Sequence, residues 1–308
     1  MTAAPLGPPA ATSAGTRAGV LLAVAAFGSW GFFPVYFKAV ATVAPLEVVC
    51  HRVIWSVPLL IPLSLIICGR PAMAAALRSR RVWLTLLTTA SLIGFNWLLF
   101  VTAVAQNQIM QASLAYFINP LFSVLLGFVF LRERLRKSQW FSVLLAAVGV
   151  AYLTVAAGQF PVYAVLMAVS FGFYGLLRKT APIDALLGLT VETTVLAPLV
   201  VGYMAFVIWH GRTTFGNGPV SLSLLLVLAG PLTALVLLLF AAAARRLRLA
   251  TIGFLQFMTP TGHFLLALYY GEPFNLPQLV AFIFIWTALA IYSADAVRHA
   301  QRPRTSDS

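Results

Sequence analysis

The run PLEVVCHRVIW, residues 45–55, places Glu47, His51 and Arg52 within six positions of a chain that is 61% hydrophobic and only 9% charged. A carboxylate, an imidazole and a guanidinium can relay a proton, pair with one another or hold an ionic solute. Glu47, His51 and Trp55 stand at i, i+4 and i+8 and share a helical face, whereas Arg52 is turned about 140° from Glu47 on a helix of about 100° per residue. Ionisable groups inside a membrane span are candidate functional groups by default, and a static Glu–His pair tying helices together is the structural alternative.

Other chemistries lack their parts. The histidines His51, His210, His263 and His299 are scattered and form no HExxH, so no metal site is implied. Neither a GxSxG nucleophile elbow nor a GxxxxGK[ST] phosphate loop occurs, which argues against serine hydrolysis and ATP-driven pumping. Cys50 and Cys68 are the only cysteines and make no CxxC pair. No cofactor is implied. An intramembrane enzyme and a non-transporting assembly or lipid-handling protein are the readings that compete with transport.

Composition then says what must position these groups. An ordinary soluble domain carries roughly a quarter of its residues charged, and this chain instead has a mean hydropathy of +0.95. Its apolar runs are long enough to cross a hydrocarbon core of about 30 Å as helices. Ten spans are expected near 19–38, 45–68, 82–104, 108–131, 139–157, 161–178, 185–209, 220–243, 249–270 and 276–297, making an all-α polytopic membrane protein. The polar or Ala/Pro-rich ends, 1–18 and 298–308, read as disordered tails.

The net charge of +13 is distributed one-sidedly. With the N-terminus in the cytoplasm, seventeen Lys and Arg fall in cytoplasmic segments, Arg178 counted among them, against Lys38 and Arg212 on the other side. This is the positive-inside pattern, and it places both termini in the cytoplasm. The basic residues mark topology and contact with the lipid bilayer, so no nucleic acid partner is expected.

The halves repeat. Phe117, Asn119, Pro120 and Glu133 in helix four match Phe257, Thr259, Pro260 and Glu272 in helix nine, offset by 140 at the proline and 139 at the glutamate. FGSWG at 27–31 lies over FGFYG at 171–175, and Glu47 over Glu192 at an offset of 145. Five spans per copy force the second to enter the bilayer in the opposite sense, giving two inverted five-helix repeats, 19–157 and 161–297. Secondary transporters commonly use such pairs.

Polar residues cluster on faces. Gln108, Ala112, Tyr116, Asn119, Ser123 and Gly127 form a stripe on helix four; Gln256, Thr259, His263, Ala267 and Tyr270 form one on helix nine. Small residues in such stripes also serve close helix packing, the preferred role for Gly127 and Ala267. The candidate substrate path is Trp30, Tyr36, Asn96, Tyr116, Asn119, Ser123, Tyr174, Gln256, Thr259 and His263. Pro120 and Pro260 are expected to kink their helices and act as hinges. Glu47, His51, Arg52 and Glu192 are the gating or coupling candidates, with Glu47 and Glu192 closing opposite ends of one path in alternation.

GVLLAVAAFGSWGFFPVYFKAV, PLEVVCHRVIWS, YFINPLFSVLLGFVFLRERL and LQFMTPTGHFLLALYYGEPF together resemble the RarD-type (chloramphenicol-sensitive protein) branch of EamA-domain permeases, in the drug/metabolite transporter superfamily. The resemblance runs from about residue 19 to 297. It implies ten helices in two inverted repeats, a bacterial inner-membrane location, and export or exchange of small metabolites, including amino acids, or drug-like compounds. It also implies that helices five and ten are peripheral to the path. His263 departs from the family pattern, where a glutamine is expected, as does the shortened stretch from Pro260 to Glu272. The expected partners are a small-molecule substrate and lipid, with a homodimer through peripheral helices left open.

Overall fold

The computed structural model describes residues 13–106, 109–156, 158, 160–270 and 276–300. Gln108, Glu272 and most of both predicted tails lie outside this set. The described chain is helical: α1 (Ser13–Ala39), α2 (Pro45–Ile54), α3 (Val57–Ile67), α4 (Gly69–Arg78), α5 (Arg80–Ala105), α6 (Ile109–Leu131) and α7 (Lys137–Ala156) form the first half. The second comprises α8 (Val162–Thr180), α9 (Ala185–Trp209), α10 (Val220–Ala244), α11 (Leu249–Gln256), α12 (Met258–Tyr269) and α13 (Leu276–Ala300).

Among the described residues, nine stretches are long and apolar enough to cross a membrane, and they coincide with nine of the ten expected spans. The remaining span, 249–270, is present as two helices, α11 and α12, interrupted at Phe257. Pro260 is the third residue of α12, and the carbonyl that its missing N–H leaves without a helical donor is that of Gln256, so the interruption at Phe257 falls where a proline opens a helix. Pro120, by contrast, sits inside the continuous helix α6.

The second span is also broken. Pro58 lies in the first turn of α3, and Ser56 at the break shares its one hydroxyl proton between Arg52 O at 2.6 Å and Gly230 O at 2.9 Å. α10 crosses at this point so closely that a Cβ on Gly230 would fall 2.3 Å from the Trp55 carbonyl carbon. Only glycine permits that approach. The side-chain hydroxyl and the crossing helix thus stabilise the interruption in place of the lost intrahelical bonds.

Packing follows the repeat. α4 aside, the first-half helices α1, α2/α3, α5, α6 and α7 correspond in order to α8, α9, α10, α11/α12 and α13. The contact of α6 with α8 has its counterpart in α12 with α1, and α1 with α10 in α8 with α5. α2 and α3 pack on α9, α6 on α11, and α7 on α13, each against its own counterpart. A contact pattern that maps onto itself when the halves are exchanged is the packing that two inverted five-helix repeats require. The α1–α12 crossing is another close one, with a Cβ on Gly262 falling 2.8 Å from Gly31 Cα.

Candidate functional site

A cavity of about 80 Å³ lies between the halves, lined from α1, α2, α5, α6, α8, α10, α11 and α12. Among the described residues none of α7 or α13 reaches it, in keeping with their expected peripheral place. Rings supply much of the wall: Phe27, Trp30, Phe33 and Phe37 from α1, Trp97 and Phe100 from α5, and Tyr116 and Phe171 opposite. The volume is below the roughly 150 Å³ that accepts a benzene. The walls must therefore part before an aromatic-sized solute can fit.

Five polar side chains interrupt this lining. Asn96 donates Nδ2 to Met167 O at 2.9 Å and to Ser170 Oγ at 3.0 Å, and Thr259 donates to Phe27 O at 3.1 Å. Asn119 and Gln256 are 6% and 4% exposed, and Asn119 Oδ1 and Gln256 Oε1 have no protein partner. Arg52 completes the set. Its Nε donates to Thr233 Oγ1 at 2.9 Å, and its guanidinium carbon stands 4.8 Å from the centre of the Trp97 ring, a cation–π contact. No carboxylate pairs with it among the described residues.

Glu47 and its neighbours lie at one end of the bundle. Glu47 Oε1 accepts from Thr213 Oγ1 and Thr214 N at 2.9 Å each and from Phe215 N at 3.2 Å, anchoring the connection between α9 and α10. Trp55 Nε1 donates to His51 Nδ1 at 3.0 Å, and the Phe215 ring lies 4.8 Å from the imidazole. The expected common face of Glu47, His51 and Trp55 is present as this cluster. His51 Nε2 is 3.9 Å from Glu47 Oε1, too far for a hydrogen bond, and has no other partner.

Glu192 occupies a second cluster. Thr89 Oγ1 donates to its Oε1 at 2.6 Å, Tyr174 Oη to its Oε2 at 3.4 Å, and Arg178 Nη1 lies 3.5 Å from Oε1. Arg178 is 1% exposed and also donates to Ala185 O. It is therefore an internal side chain, although the charge count treats it as a topological marker. It fits because residue 188 is glycine: a Cβ there would lie 1.9 Å from Arg178 Nη1. A signal exists in the sequence, since Arg178 and Glu192 flank the short 181–184 connection and so face each other across the α8–α9 hairpin.

Of the expected path residues, Trp30, Asn96, Tyr116, Asn119, Gln256 and Thr259 line the cavity, and Arg52 joins them from the gating set. Tyr36 instead donates to Leu225 O at 3.1 Å, tying α1 to α10. Tyr174 belongs to the Glu192 cluster, yet it and its repeat-mate Trp30 both pack on Phe240, at 6.0 and 5.8 Å. Ser123 faces α11, near Gly253, and Gly127 faces Leu249, so that end of the helix-four stripe is a packing seam. His263 stands behind the wall, with Nε2 3.1 Å from Trp30 O and its ring edge-on to Tyr116 at 5.1 Å. Thr233, which accepts from Arg52 Nε, escapes the sequence patterns, and so does the role of Glu133, a residue of the repeat whose carboxylate accepts from Leu249 N and Ala250 N at the start of α11. Each acts through a partner more than a hundred residues away or on a separate helix.

Comparisons with known proteins agree with this architecture. The profile of the EamA-like transporter family matches residues 17–155. A protein of Vibrio cholerae named "Uncharacterized transporter" is 46% identical over 93% of this chain and 96% of its own. Protein RarD of Escherichia coli K12 is 44% identical over 94% of this chain and 98% of its own. One crystal structure superposes with a TM-score of 0.73 over 91% of this chain and 98% of its own, at 16% identity, which speaks to fold alone. The chain is thus a multi-pass membrane protein and belongs to the EamA-like transporter family, in its RarD-type branch.

Proposed function

We propose that the protein is a secondary transporter that moves small organic metabolites across the bacterial inner membrane by alternating access, in the export direction. The observation that carries this reading is the central cavity, walled by both halves of an inverted repeat and lined by polar groups without protein partners. The breaks at Trp55–Ser56 and at Phe257 supply places where half of a span can swing while the other half stays packed. Both termini lie in the cytoplasm, by the charge asymmetry of the connections. In that orientation the Glu47 cluster seals the periplasmic end and the Glu192–Arg178 cluster the cytoplasmic one. Both are engaged in this conformation, so access from either side requires one of them to part.

The test is counterflow in liposomes containing the purified protein and preloaded with unlabelled small metabolites. Saturable uptake of labelled solute is expected, and Asn119→Leu, which makes that part of the cavity wall apolar with a side chain of modest size, should slow it while the protein stays folded. Absence of flux for every solute tried, in folded wild-type protein, would remove the transporter reading.

A further inference from the structure

The unpaired guanidinium in the cavity points to the charge of what the cavity holds. Arg52 is 9% exposed, and a buried arginine normally meets a carboxylate, because hydrogen bonds to neutral groups alone do not replace the hydration it gives up. Here Nε is held by Thr233 and the plane rests near Trp97, so two elements fix its orientation. The terminal nitrogens meet no acceptor among the described residues, and the side chain forms part of the cavity wall. The titratable side chains nearest in the walls are the Tyr116 phenol, in the same cavity, and Glu192, which lines a smaller adjoining void together with Arg52. Glu47, on the same helix, is occupied by the 213–215 connection, and Glu192 by Arg178.

We infer that Arg52 is the anchor for the carboxylate of a compact organic monoanion, whose flat apolar body lies among the rings and whose neutral O–H or N–H donor meets Asn119 Oδ1 and Gln256 Oε1. Three features fix this class. The cavity lining carries one positive charge and no negative one among the described residues, so an occupant of charge −1 leaves the buried site neutral, whereas a zwitterion leaves it positive and an amine doubles its charge. A guanidinium oriented from one side presents its fork to a planar carboxylate, which an ammonium would not do as well. Asn119 Oδ1 and Gln256 Oε1 are acceptors without donors, and burial makes that costly until a ligand supplies one. This inference rests on the transport reading for its biological setting, and on the cavity's charge alone for its chemistry.

Four ligands with one body separate the possibilities: 4-hydroxyphenylacetate (anion), 4-hydroxyphenylacetamide (neutral), tyrosine (zwitterion) and tyramine (cation), each titrated calorimetrically into the full-length protein in detergent. The acid is expected to bind tightest, with the amide weaker by about 10-fold or more, the value of one charge-assisted hydrogen bond. Tyramine should bind weakest. Arg52→Gln should bring acid and amide to similar affinity, and Arg52→Lys should keep the preference for the acid. If Arg52→Gln does not fold, Thr233→Val, which frees the guanidinium without removing it, should weaken the acid selectively. Equal binding of acid and amide, tighter binding of tyramine, or no binding of any of the four overturns the inference. Counterflow distinguishes its failure from that of the transport reading. Flux of amines or neutral solutes without preference for acids sinks the anion site and leaves transport standing. Selective binding of the acid with no flux of any solute does the reverse.

Discussion

Arg178→Met is expected to destabilise the folded protein by about 3–5 kcal/mol, the cost of leaving one member of a buried ion pair without the other. Glu192 is 1% exposed, and without the guanidinium it would keep only the Thr89 and Tyr174 hydroxyls as donors. Two neutral hydrogen bonds do not offset removal of a carboxylate from water. Arg178 is itself incompletely served, since neither Nε nor Nη1 has a hydrogen-bond acceptor and Nη1 meets Glu192 only as an ion pair at 3.5 Å, so the pair as a whole is not strongly stabilising. Replacing both residues, Arg178→Met with Glu192→Leu, should therefore recover most of the loss. Thermal melting of the purified variants in detergent gives both numbers. A single variant as stable as the wild type would mean that the pair is not buried as described. The same geometry alters the expectation for Glu192→Gln: that change leaves Arg178 unpaired, so any slowing of transport will come with a loss of stability.

Glu47→Ala is the second large effect, expected to weaken the anchoring of residues 213–215 by roughly 2–3 kcal/mol. Hydrogen bonds to a charged acceptor contribute about 1.5–3 kcal/mol each, but the released N–H groups of an end connection regain water, which keeps the sum well below three times that value. The readout is local. Arg212 is exposed and immediately precedes the anchored residues, so trypsin cleavage after Arg212 should accelerate on the order of 30-fold, following the population of the opened connection. Glu47→Gln retains an acceptor oxygen and should fall between the two. An unchanged cleavage rate in Glu47→Ala would show that the contacts of Phe215 with His51 and Trp55 hold the connection without the carboxylate.

Features that depend on periodicity or on a single helix face were legible in the sequence. The common face of Glu47, His51 and Trp55, the helical spans, and the inward placing of Tyr116, Asn119, Gln256 and Thr259 follow from spacing, because a helix fixes direction from sequence position alone. The repeat pairs Trp30 with Tyr174, and the structure packs both against the same Phe240 ring. What could not be read is what depends on contact between distant helices. Arg178 counts as one more cytoplasmic cation until Gly188 is seen to leave room for it beside Glu192. Tyr36 lies on the right helix for the path, yet its hydroxyl finds the Leu225 carbonyl, a partner 189 residues away.

Alternating access requires the cavity between the halves to open to each side in turn. It is tested most directly by labelling Asn119→Cys, in a chain with Cys50 and Cys68 replaced by alanine, using a membrane-impermeant thiol reagent supplied from one face of the membrane and then the other. Phe128→Cys is the reference, since Phe128 lies on the same helix α6 but on its exposed, lipid-directed face. Asn119→Cys should react from both faces, faster than Phe128→Cys, and slow when a transported solute is present. Reaction no faster than that of Phe128→Cys from either face would contradict the account.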